Sequence, residues 1–66
     1  MTDLEKLAHL LEHWREHNDE HAVNYRTWAD KAEAAGRSEA ARLLREAAEA
    51  TTQVNGLFTR ARAALE

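Results

Sequence analysis

The chain has 66 residues and a net charge of −3, from 12 acidic and 9 basic side chains, with no cysteine and no proline. A chain this short supplies one domain, and it buries too little surface to be comfortably stable without a metal, a disulfide or a second subunit. Without cysteine there is no disulfide, no thiolate metal site and no cysteine nucleophile, so any metal would sit on nitrogen and oxygen. Acidic and basic side chains are interspersed, which leaves no basic stripe to follow a phosphate backbone and argues against nucleic acid as a partner.

No apolar run approaches the roughly 20 residues that span a bilayer, and Met1-Thr2-Asp3-Leu4-Glu5 opens acidic rather than as a signal peptide. No membrane insertion and a cytoplasmic location are therefore expected. Ala, Leu, Glu and Arg, the strongest helix formers, dominate the composition, so the expected fold is all-α.

In chain order, Thr2 with Glu5 fits a capping box and starts the first helix near Asp3. Leu4, Leu7, Leu11, Trp14, Asn18, His21, Tyr25, Trp28 and Ala32 then recur at spacings of three and four, the a and d positions of a heptad. Trp14, Tyr25 and Trp28 read as core knobs, whereas Arg15 and Lys31 fall off the stripe and should tolerate alanine. Asn18 and His21 make two consecutive layers of this stripe polar. A buried polar group must find partners, so the interruption calls for either a ligand or a polar layer that sets register.

Gly36 supplies a left-handed residue to end the first helix, at about residue 35, and Ser38 is a candidate N-cap for the second, with Glu39 favourable in its first turn. The second stripe is Ala40, Leu44, Ala47, Thr51, Val54, Phe58, Ala61 and Leu65, which extends the helix from about residue 38 to about residue 65. Asn55-Gly56 is a possible turn, yet Val54 and Phe58 keep phase across it, so a continuous helix weakened by about 1 kcal/mol is preferred. Folding at residue 36 or 37 sets Trp28 near Leu44, His21 near Thr51, Trp14 near Phe58 and Leu7 near Leu65. The expected architecture for residues 1–66 is a single two-helix antiparallel hairpin. Its large aromatics would stay wet unless it forms a homodimer, a four-helix bundle.

His9, His13, His17 and His21 stand four residues apart, a spacing at which neighbouring imidazoles share a helix face and can clamp one ion. Each step turns about 40° around the helix and the row spans about 18 Å, so all four cannot serve one metal. His9 points away from the stripe and His21 lies on it. Glu12, Glu16 and Glu20 accompany the row, and the segment reads His-x-x-Glu-His three times, which offers oxygen ligands or orienting partners beside the imidazoles. The candidate metal site is His13, Glu16, His17, Glu20 and His21, completed by a second subunit or water. Imidazole and carboxylate ligands suit nickel, cobalt or zinc.

A plainer reading stands beside this one. Helix histidines are often only solvated, the glutamates taken alone are more often solubilising charge, and Asn18 with His21 can form a register-setting polar layer. The chain would then be a non-catalytic dimerisation or adaptor module that engages a protein partner, its histidines incidental or pH-sensing. An enzyme is not expected. His-x-x-Glu-His serves zinc proteases only within a large scaffold with a third ligand and a cleft, and the Glu-x-x-His order of di-metal bundles is absent from the first helix.

The string His13-Trp14-Arg15-Glu16-His17-Asn18-Asp19-Glu20-His21-Ala22, followed by Tyr25, Trp28-Ala29 and Lys31-Ala32, resembles small helical-hairpin domains of prokaryotes associated with nickel- and cobalt-handling proteins. The resemblance covers about residues 10 to 36. It implies a functional role for His13, Glu16, His17, Glu20 and His21, with His9 and the second helix outside the pattern, and leaves open transport, delivery, storage or sensing.

Overall fold

Thr2 caps the first helix as its spacing to Glu5 requires. Its hydroxyl accepts the Glu5 backbone N–H at 3.1 Å while its own N–H donates to the Glu5 carboxylate at 3.3 Å, so two otherwise orphaned amides are satisfied reciprocally. The computed structural model describes residues 1–66 and contains two helices, α1 (Asp3–Ala34) and α2 (Ser38–Ala63), packed against each other without strands.

The turn is closed by backbone chemistry. Ala35 ends α1, Gly36 adopts φ +79°, the Arg37 N–H donates to the Ala32 carbonyl at 2.9 Å and the Gly36 N–H to the Glu33 carbonyl at 2.9 Å. This pair of bonds is the Schellman closure, which needs a left-handed residue at the glycine position. The closure corrects the expected cap: Ser38 is already the first helical residue, and Arg37 occupies the cap position with no side-chain hydrogen bond. A turn this short leaves no residue between the Schellman closure and the first turn of α2. α2 runs unbroken through Asn55-Gly56 and ends at Ala63, two residues short of the expected end.

The seam between the helices differs from the expected one. On α1, Leu11, Asn18, Tyr25 and Ala32 alternate with Arg15, Ala22 and Ala29 rather than with Trp14, His21 and Trp28. On α2, Leu44, Thr51, Phe58 and Leu65 alternate with Ala41, Ala48 and Asn55 rather than with Ala40, Ala47 and Val54. Each helix is thus rolled by about 50° from the a/d arrangement. Ala29, Ala41 and Ala48 are fully buried and Ala22 nearly so, because alanines at the contact let the backbones approach more closely than indole rings would.

Two corrections follow from this roll. Trp14 and Trp28 lie off the seam of the single hairpin: they remain 40% and 60% exposed, Trp14 against Phe58 with ring centroids 5.7 Å apart and Trp28 under the Lys31 ammonium at 4.3 Å. Arg15 is not a bystander. It lies half-buried at the seam, paired with Glu12 at 3.0 Å, and its Nε has no hydrogen-bond partner.

The hairpin is a slab of 50 × 16 × 10 Å with two unlike faces. One is polar and crossed by the Arg45 guanidinium, which reaches from α2 to Asp30 at 3.0 Å and to Glu33 on α1. The other carries Leu10, Trp14 and Trp28 of α1 and Leu43, Val54 and Leu57 of α2, all exposed. Only six of the 66 residues are buried and no large side chain is fully so, which leaves the single hairpin with a thin core. No helix is long and apolar enough to cross a membrane.

Candidate metal centre

Asn18 lies on the seam, so its polarity is accounted for within the chain. Its Nδ2 donates to Asn55 Oδ1 at 3.0 Å, and Asn55 Nδ2 donates in turn to Asp19 Oδ1 at 2.8 Å and to the Arg15 carbonyl at 3.0 Å. Asn55, 7% exposed, is the one buried polar residue, and its amide makes a bond with each available group. This clasp ties the centre of α1 to α2. The Asn55-Gly56 pair has a turn-like composition that hides this role; the signal for it was an amide placed across the hairpin from another amide.

From Asn18 the histidines fan around α1. At about 100° per residue, His21 stands roughly 60° from Asn18, His17 100°, His13 140° and His9 180°, all turned towards the apolar face and then away from α2. The environments follow this order, with His21 half-buried and the other three exposed. His17 and His21 are close neighbours, with ring centroids 4.5 Å apart. His13 lies 6.1 Å from His17, and Tyr25 stacks on His21 at 5.9 Å with ring planes 14° apart.

The glutamates do not follow. Glu20 projects within about 20° of His13, while Glu16 projects about 140° round the helix from His21. Within one chain no group of three or more His, Asp or Glu side chains is disposed to hold a single ion. The structure therefore brings together His17 and His21, places His13 beside them, and carries Glu16 away. What one chain offers is a two-nitrogen clamp: rotation of the two imidazoles can bring one nitrogen of each within the ~2.1 Å reach of a first-row metal, with the other coordination positions open.

The strongest electrostatic effects lie elsewhere. The Arg42 guanidinium holds the Glu39 carboxyl below its ordinary value, and Glu33 and Asp30 raise Arg45. Both groups act at the turn end of the hairpin. Neither of the two shallow surface hollows touches a histidine; both lie at the open end, around Arg62 and Glu66.

Fold and site together define a small two-helix hairpin with a row of imidazoles leading to an uncovered apolar face. The chain belongs to the family described as "Domain of unknown function (DUF8180)", which it matches over residues 7–65. It is 41% identical over 58 residues to a protein of Archaeoglobus fulgidus described as "Uncharacterized protein", an alignment covering 88% of this chain and 92% of that one. No solved structure matches it.

Proposed function

We propose that this chain is a small protein of the cytoplasm that binds a divalent transition metal of the nickel, cobalt or zinc class, working as a homodimeric four-helix bundle and serving metal handling rather than catalysis. The observation that carries the reading is the His17–His21 pair, with ring centroids 4.5 Å apart at the margin of the uncovered apolar face. Two imidazoles at this separation chelate one ion, and a second copy docked on that face brings the further ligands that a single chain lacks. His13 and Glu20 lie beside the pair as additional donors, Glu16 acts at most through solvent, and His9 takes no part.

The test is a titration of zinc, nickel or cobalt salts into chelator-treated, untagged protein at neutral pH, followed by calorimetry and thermal melting. Binding to the folded state raises the melting temperature. His17→Ala and His21→Ala each remove most of that rise, His13→Ala part of it and His9→Ala almost none. Competition from protons weakens binding in acid, because imidazole must be neutral to coordinate. A melting temperature unmoved by all three metals, or four substitutions with equal effects, overturns the reading.

A second reading is favoured by the exposed apolar side chains themselves. The hairpin would then be an adaptor whose face engages another protein irrespective of metal. In that case the four histidine substitutions leave partner binding intact.

A further inference from the structure

α2 carries a stripe that nothing in the hairpin covers. Leu43, Ala47, Ala50, Val54, Leu57 and Ala61 lie along it without a polar or charged side chain among them, and Leu43, Val54 and Leu57 are 51%, 39% and 58% exposed. Beside it on the same face run Trp14, His21 and Trp28 of α1.

We propose that this face is covered by the same face of a second copy turned end for end, about a two-fold axis level with residue 52 of α2 and His21 of α1, so that the histidine pairs of both chains meet at the axis. The inference rests on the reading that two copies pair, and it specifies how they do so.

The register comes from the stripe itself. An axis level with residue 52 sets Leu43 opposite the partner's Ala61, Ala47 opposite the partner's Leu57, and Ala50 opposite the partner's Val54. Each large side chain meets a small one, the arrangement that lets facing helices interdigitate. Sliding one copy by a heptad sets Leu43 against the partner's Val54 and Ala47 against the partner's Ala50, which pairs large with large and small with small.

The clasp carries this register across to α1. Asn18 bonds to Asn55, so the level of residue 52 on α2 is the level of His21 on α1. Trp14 and Trp28 lie seven residues to either side of His21, about 10 Å along the axis. Each tryptophan therefore falls level with the other tryptophan of the partner, and the two exposed indole rings of the face are covered together. His21 meets the partner's His21 within a turn, with His17 of each chain beside it, and four imidazoles converge where one chain supplies two.

Charge and area agree with this pairing. Arg60 has no ion pair within its own chain, and the axis brings it within about one helical turn of the partner's Glu46 on the same rim. The Cα trace extends 50 by 16 Å across this face, a footprint on the scale of the roughly 800 Å² per partner that a stable pair of proteins buries.

The experiment uses the full chain in chelator, so its outcome does not depend on metal. The protein has no cysteine, and Arg37 contributes only its backbone to the turn, so Arg37→Cys takes a single nitroxide label without disturbing the fold. Light scattering should give twice the 7.5 kDa chain mass. Pulsed dipolar resonance should give a label separation of about 45–50 Å, since each turn lies 16 residues from the axis at 1.5 Å per residue. A mass of 7.5 kDa at all concentrations overturns both the pairing and this arrangement. A dimer mass with labels within about 20 Å, as in a pair with both turns at one end, overturns the end-for-end arrangement alone and leaves the pairing standing.

Discussion

Asn18 and Asn55 are 37 residues apart in the chain and 3.0 Å apart in the hairpin, amide to amide, at the midpoint of a seam otherwise made largely of alanine and aliphatic side chains. Alanine contacts tolerate sliding because one small residue replaces another at each step. A bonded amide pair does not, so this layer fixes which residue of α1 faces which of α2.

Replacing Asn55 by alanine removes an acceptor from Asn18 and a donor from Asp19 and the Arg15 carbonyl together. The expected loss is about 1–3 kcal/mol, the range for leaving buried polar groups unpaired. Chemical denaturation of Asn55→Ala against wild type checks this; an unchanged midpoint would show that water serves the clasp equally well.

The alanine seam makes a second prediction. Ala48 is fully buried in the seam, and Ala34 is exposed at the end of α1. Ala48→Leu should destabilise by about 1–3 kcal/mol through overpacking. Ala34→Leu should leave the melting temperature almost unmoved, and equal effects would place the seam elsewhere.

The tryptophans separate the hairpin from its assembly. Trp14 packs on Phe58 within the chain, while Trp28 is more exposed and has the Lys31 ammonium over it. At dilutions that dissociate a pair, Trp14→Ala should lower stability more than Trp28→Ala. At high concentration the two should converge as both rings become covered, with a blue shift in fluorescence.

Gly56 sits in mid-helix with ordinary backbone angles and nothing within 4 Å of where a Cβ would stand. Gly56→Ala should therefore stabilise the protein by about 0.5–1 kcal/mol through the unfolded chain and helix propensity. A loss of stability on thermal melting would mean that a second chain approaches the helix at that point.

Glu39 supplies a pH dependence of known sign. Arg42 lowers its folded value, so its stabilisation is fully present above the ordinary glutamate range and is lost as the pH falls through the lowered value. Glu39→Gln should melt slightly below wild type at neutral pH and level with it in acid. Both residues are exposed, so the gap should also close in high salt.

Much of this was legible in the residues themselves. The capping box at Thr2, the glycine that closes α1 and the continuity of α2 past Gly56 follow from local rules, in which a few neighbouring side chains and the backbone decide the outcome, and the approach of Trp14 to Phe58 follows from folding the two stripes at the turn. The spacing of His17 and His21 likewise put them on one helix face before any fold was known. What the sequence left undetermined was rotation about the helix axes. The heptad pattern offers two edges for a seam, one lined by Trp14, His21 and Trp28 and the other by Arg15, Ala22 and Ala29, and apolar periodicity favours the first. The tertiary structure takes the second, because Ala22 and Ala29 against Ala41 and Ala48 bring the backbones close and let Asn55 reach Asn18, Asp19 and the Arg15 carbonyl at once. That roll of about 50° turns the tryptophans and His21 out of the hairpin and onto the face where a second copy would meet them.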